Sequence, residues 1–358
     1  MAFNLKKLII DVFNPEKDET VLVLTDLPHG DLKDSPEWQE VRELANKWYV
    51  GFDDLSKDIG YKVLPLVTYP ATGEHNFELP LNQGSPIALK DAIDQATIVV
   101  AINNYSASAP LINFTYEKPD LRAASMPFLA KRMEETALAA DYKVVQRRCR
   151  IIADLMENIE GSNVRFSTGH EIYFDLRYRP VDKDDAYLHR DRRGMRLCNL
   201  PAGEVCCAPY EGERENDSSK TQGQIPAVFN AETVVFEIKE NKIYNILGEG
   251  KEAEKQRAFF DKDPARRNIA EFAIGCNPNA VIWGNVLEDE KAGFHWAYGR
   301  SDHLGGVVGV KEFLCPENVY HLDIVYAKDS PIQVEYLEFI YQNETKKEII
   351  KDKEYLIF

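Results

Sequence analysis

The sequence predicts two domains: an α/β N-terminal domain with a mostly parallel sheet over residues 1–160, and a strand-rich antiparallel α+β domain over residues 161–358. Three observations predict this. A chain of 358 residues is too long for one ordinary hydrophobic core and suits two. Its first part alternates compact apolar runs with helical spacing, the pattern of crossover connections between parallel strands. Beyond about residue 160 apolar and polar residues alternate singly, as in antiparallel strands with one buried face.

The elements follow in order. Residues 19–27 (ETVLVLTDL) form a Val/Leu run suited to a strand buried on both faces. Over 36–57, Val41, Leu44, Ala45, Trp48 and Tyr49 recur at helical spacing. Residues 61–69 read as a second strand, with Pro65 placing it near an edge. Residues 85–96 read as a helix with Ser85 as N-cap and Pro86 in its first turn, and 97–103 as a third strand. Two helical runs follow, 128–138 and 144–159, the second stopped by Gly161. Beyond the boundary near Glu160, 164–178 and 232–246 alternate, with Glu240-Asn241 as a hairpin turn. One helical stretch, 251–274, interrupts them. The tail returns to strands over 332–341 and 348–358, joined by a polar turn at 342–347.

Bulk properties narrow the function. Hydrophobic content of 44% and aromatic content of 11% are those of a folded globular chain. A formal charge of -16 repels a phosphate backbone and argues against nucleic-acid binding. The basic cluster of Lys143, Arg147, Arg148 and Arg150 lies in an apolar-rich helical pattern and reads as a solvated face. No apolar stretch approaches the roughly 20 residues that span a bilayer, and no signal-peptide pattern opens the chain. Six cysteines without a C-x-x-C pair then read as reduced thiols in a soluble, cytoplasmic protein.

Four segments of the second half combine acids and histidines. Glu204 follows a Pro/Gly turn at the mouth of a strand; Glu271 sits within the apolar run I-A-E-F-A-I; Glu290 precedes His295 by five residues; and His321 and Asp323 lie two apart in a strand pattern. Residues i and i+2 of a strand share a face, so His321 and Asp323 can reach one ion together. Hydrolytic metal sites need imidazole and carboxylate ligands with one position open to water, and paired ions need a bridging carboxylate. Each residue also has a plainer reading: a hydrogen-bonded core pair for His321 and Asp323, a loop acid for Glu204, a solvated acidic face for Glu290, a satisfied core histidine for His295. A buried Glu271 without a partner would be costly.

The order of these segments resembles the aminopeptidase T (aminopeptidase S) family of metallopeptidases. P-A-G-E-V-C-C-A-P at 201–209, Arg266-Arg267 with Glu271, Asp289-Glu290 with His295, and His321-Leu-Asp323 follow one another as that family's elements do. Ala123-Ala-Ser-Met-Pro127 resembles its N-terminal domain. The resemblance implies a homodimeric exopeptidase acting on peptides with a free N-terminus. It implies two divalent ions (zinc, cobalt or manganese) held by Glu204, Glu271, Glu290, His295, His321 and Asp323, with Glu271 bridging and a metal-activated water attacking the first peptide carbonyl.

One position departs from the family. A tyrosine is expected seven residues after the histidine matching His295, and Asp302 stands there, within the Gly-rich segment 299–306. Tyr298 lies roughly 13 Å away along an extended chain. His303 offers an alternative proton donor near neutral pH, although it also reads as an ordinary loop residue. Glu271, Asp302 and His303 are therefore the catalytic candidates. Two rival readings share the residues. A ring-cleaving dioxygenase of the same fold would hold one iron through His295, His321 and Asp323, but that resemblance implies no glutamates at the positions of Glu204 and Glu271. A non-catalytic metal-binding homologue is the other.

Overall fold

The structure, a computed structural model, describes residues 3–358. The chain opens with α1 (Leu5–Phe13) and β1 (Thr20–Leu27), then α2 (Pro36–Ile59), capped by Ser35 at its start and by left-handed Gly60 at its end. The second predicted strand is broken at Pro65 into β2 (Lys62–Val63) and β3 (Val67–Pro70), both paired with β1. Next come α3 (Leu89–Gln95), β4 (Ile98–Ala101), α4 (Ser108–Glu117), β5 (Arg122–Ser125) and α5 (Tyr142–Met156). The chain continues through β6 (Ile159–Phe166), β7 (Glu171–Asp175), β8 (Asp182–Asp184), β9 (Leu197–Asn199), β10 (Glu204–Cys207), β11 (Gln222–Phe229), β12 (Glu232–Lys239) and β13 (Lys242–Leu247). It ends with α6 (Lys251–Asp261), β14 (Ile269–Gly275), α7 (Val286–Asp289), β15 (Phe294–Gly299), β16 (His321–Tyr326), β17 (Val334–Tyr341), β18 (Lys346–Lys351) and β19 (Glu354–Tyr355).

The predicted fold class holds: a parallel sheet with helices, and antiparallel sheets. The chain divides into two units, and it passes between them several times. One comprises 1–147, 184–203 and 277–281; the other 148–183, 204–276 and 282–358. The single boundary expected near Glu160 is replaced by several crossings.

In the first unit β1, β4, β5 and β9 run side by side and parallel, with β2 and β3 on the far side of β1. Leu22, Leu24, Val99 and Ala101 pack with Leu89 and Ile93 of α3 and Leu111 of α4. The alternate residues Val21, Val23, Ile98 and Val100 are equally buried, so these strands read as continuous apolar runs. The first unit's sheet is completed by β9, from far along the chain, which the sequence pattern did not reveal.

The second unit holds an eight-stranded antiparallel sheet, β13-β12-β11-β7-β6-β17-β18-β19, and a five-stranded one, β16-β15-β14-β10-β8. Rings from both sheets interlock: Phe174 meets Phe272 (5.2 Å), Phe166 meets Tyr326 (4.9 Å) and Phe236 meets Trp296 (5.6 Å). This sandwich core occupies one face of the five-stranded sheet. Glu240 and Asn241, both left-handed, make the predicted hairpin turn between β12 and β13.

Several local expectations are corrected. The helix expected from Ser85 begins at Leu89, because the Ser85 amide and carbonyl are spent on a bridge to Thr68. Residues 128–138 form two short 3-10 turns, Lys131–Glu134 and Ala137–Ala139, instead of an α-helix. Gly161 does not end α5: the helix stops at Met156, and Gly161 lies inside β6, where a side chain would strike Tyr173 and Phe174. The helical stretch 251–274 ends at Asp261, and the remainder is the 3-10 turn Pro264–Arg267 and strand β14. Glu271 therefore stands on a strand. Among the described residues no helix is long and apolar enough to cross a membrane.

Candidate metal centre

Strand register gathers the predicted residues. Across the five-stranded sheet Glu271 pairs with Ala297 and Ala297 with Asp323; Gly275 pairs with Glu204, Ala273 with His295, and Gly299 with His321. Directly paired residues share a face, and so do residues two apart. One face of this sheet thus carries Glu204, Glu271, His295, His321 and Asp323, interleaved with Ala273, Gly275, Ala297 and Gly299. Phe272, Ile274, Phe294, Trp296 and Tyr298 fall on the opposite, core-facing side. The small residues leave room above the sheet for the long polar ones.

Two glycines set this geometry. A Cβ on Gly275 would lie 2.5 Å from the Glu290 carbonyl oxygen, so its bareness admits the Glu290–Lys291 backbone against the sheet. Gly299 has φ +104°, and a Cβ there would lie 2.1 Å from the Tyr320 carbonyl oxygen, beside His321.

Both imidazoles are oriented by backbone carbonyls. His295 Nδ1 donates to Gly293 O (3.2 Å) and His321 Nδ1 to Arg300 O (2.7 Å). A carbonyl only accepts, so each Nδ1 carries hydrogen, and Nε2 is the nitrogen turned to the acids. His321 Nε2 lies 3.1 Å from Glu271 Oε2 and 3.4 Å from Asp323 Oδ1; His295 Nε2 lies 3.4 Å from Glu204 Oε2 and 3.8 Å from Glu271 Oε1. Glu271 stands between the two rings, one oxygen toward each.

A cation fits this set. Among the described residues, ligand atoms of Glu271, His321 and Asp323 all lie within 4.8 Å of one another. Two buried carboxylate oxygens there, Glu204 Oε2 and Asp323 Oδ1, have no hydrogen-bond partner. Uncompensated buried acceptors are costly, and a divalent ion would satisfy them. Without an ion the charges answer one another. Burial works against the His321 imidazolium, but the adjacent carboxylates of Asp323 and Glu271 outweigh it and raise its pKa well above the usual value. Burial likewise opposes the Asp323 carboxylate, yet His321 holds its pKa down at about 2. Burial, only partly offset by Lys291, raises the pKa of both Glu204 and Glu290.

The remaining candidates lie nearby in different ways. Glu290, the C-cap of α7, faces Lys291. His303 is half-exposed, with its ring centroid 4.9 Å from that of His321. Partial desolvation by neighbouring protein atoms, and then the proximity of His321, lowers its pKa. Asp302 is engaged by Arg300 at 2.5 Å.

Two further side chains complete the surroundings of these residues. Lys291 is fully buried and sits 2.9 Å from Glu204 Oε1 and 2.6 Å from Glu290 Oε1. Its signal was available: it is the cation closing an acid-rich run just before the strand that bears His295. Glu211 anchors the loop of Asp302 and His303, accepting from Ser301 Oγ and Asn268 Nδ2, each at 2.6 Å, and from the Val307 amide.

The fold and the site together define a two-unit α/β and antiparallel protein with a candidate carboxylate–histidine metal centre on one face of its five-stranded sheet. No protein-family model matches the sequence, and no curated protein matches it. Solved structures do match over nearly the whole chain. A 2,5-dihydroxypyridine dioxygenase from Pseudomonas putida KT2440 superposes with a TM-score of 0.67 at 17% identity, covering 98% of this chain and 96% of its own. AmpT from Thermus thermophilus superposes with a TM-score of 0.58 at 15% identity, covering 99% and 98%. Both likenesses establish the fold.

Proposed function

We propose that this protein is a metal-dependent aminopeptidase that hydrolyses the first peptide bond of substrates with a free amino terminus. The observation that carries the reading is Glu271, held between the Nε2 atoms of His295 and His321 with the unpartnered Asp323 and Glu204 oxygens beside it. Such a carboxylate-rich set suits a hard or borderline divalent ion. When bound, that ion supplies Lewis acidity and lowers the pKa of a water. The chain's own groups do the rest. Glu271, His295, His321 and Asp323 hold the ion. The surrounding acids attract the substrate's ammonium group, and His303, with its ring beside that of His321, is placed to exchange a proton at its ring nitrogen. The likeness to AmpT agrees with this reading.

A second reading has its own support: His295, His321 and Asp323 also make a two-histidine, one-carboxylate set for a single iron, and one structural neighbour is a dioxygenase. The carboxylate of Glu271 inside the compact ligand group favours hydrolysis. The test is release of N-terminal residues from a peptide panel by metal-reconstituted protein, in the absence of oxygen and with a chelator control. Chelator-sensitive release supports the aminopeptidase. Oxygen uptake with 2,5-dihydroxypyridine, without peptide cleavage, would replace it with the dioxygenase.

A further inference from the structure

From its position we infer that Lys291 is a built-in counter-cation, holding Glu204 and Glu290 so that the centre loads one divalent ion instead of two. The inference rests on the metal-dependent reading and specifies the site's stoichiometry. Its ammonium is fully buried and lies against Glu204 and Glu290, carboxylates that a dinuclear site would need as ligands. An ammonium donates and never accepts. The Glu204 and Glu290 oxygens that face it are therefore directed at a positive charge already present.

Geometry and charge agree. Among the described residues the compact ligand group is Glu271, His321 and Asp323, and neither Glu204 nor Glu290 belongs to it. Glu204 keeps one oxygen, Oε2, turned to His295 at 3.4 Å, while Oε1 is on Lys291. Glu204, Glu271, Glu290 and Asp323 carry four negative charges when ionised. Two divalent ions alone would balance them, but together with Lys291 they would leave a net positive centre around a fully buried ammonium, which is unfavourable. One ion with Lys291 leaves a single negative charge, suited to an incoming ammonium terminus. The backbone is built for this: bare Gly275 lets residues 290 and 291 approach the sheet, and the Lys291 amide donates to Glu288 O (2.9 Å).

The experiment is titration of the chelator-stripped full-length chain with Mn²⁺, followed by calorimetry, metal analysis and electron paramagnetic resonance. We expect about one equivalent per chain with an uncoupled spectrum, and a second equivalent in Lys291→Met. Two equivalents with a spin-coupled spectrum in the native chain would overturn the inference while leaving the metal reading intact. So would a folded Lys291→Met that still takes one equivalent. If Lys291→Met does not fold, Glu290→Gln serves: an affinity change under about tenfold is expected, whereas a loss beyond about 100-fold would make Glu290 a ligand and overturn the inference. One equivalent without peptide cleavage supports the inference and removes the aminopeptidase reading. No bound ion overturns both.

Discussion

The positions of a few atoms decide what this site can do. His295 and His321 each commit Nδ1 to a backbone carbonyl, which turns Nε2 toward Glu204 and Glu271 in one case and toward Glu271 and Asp323 in the other. Asp323 then contributes an oxygen that no protein donor satisfies. Replacing it with asparagine keeps the shape and removes the charge. Asp323→Asn is expected to fold as the native chain does and to lose at least about 100-fold in divalent-cation affinity, since loss of even an outer-shell partner commonly costs about 10–100-fold. Calorimetric titration checks this, and native-like affinity would remove Asp323 from the ligand set.

At the scale of elements, the strands matter as rulers. Strand β17 shows the principle away from the site. Its Glu338 accepts hydrogen bonds from Asn163 of β6 (2.9 Å), Tyr336 (2.7 Å) and Lys346 of β18 (2.7 Å). Burial pushes its pKa up, but these donors together outweigh burial and hold the carboxyl below its ordinary value. The unfolded chain then binds the proton more readily than the folded one, so the contribution is complete above the unfolded pKa of about 4.3 and is lost as pH falls through the lower folded value. Glu338→Gln is expected to lower stability by about 1 kcal/mol at pH 7, a modest figure because Lys346 is half-exposed and screened. Urea denaturation should show that gap shrinking below about pH 4. A gap unchanged at low pH would mean that ionisation contributes nothing there.

For the molecule as a whole, a ligand that binds only the folded state raises stability by mass action. A divalent ion at 100 times its dissociation constant adds about 2.7 kcal/mol, so thermal unfolding should move up by roughly 3–5 °C and return after chelation. A scan with Zn²⁺ or Mn²⁺, compared with Mg²⁺, tests this; identical midpoints with and without every ion would contradict a folded-state metal centre. The charge of -16 should also keep the protein from nucleic acid at physiological salt.

Much of this was legible from the chain alone. Continuous Val/Leu runs marked the parallel strands, because both of their faces are buried. Single alternation marked the antiparallel ones, Glu240-Asn241 marked a hairpin, and the two-residue spacing of His321 and Asp323 correctly placed them on one face. These are local signals, set by steric preference and by which face meets water. Other features have no local signature. Glu271 sits in a run as apolar as a helix interior, and only pairing with β10 and β15 makes it a strand. The use of β9 in the first unit's sheet depends on a partner some seventy residues earlier in the chain. The gathering of Glu204, Lys291 and Glu290 required Gly275 to admit a distant backbone. Short-range chemistry determined the elements and the kinds of ligand available; which charges ended up touching was decided by strand register, because pairing energy depends on neighbours that the linear order does not reveal.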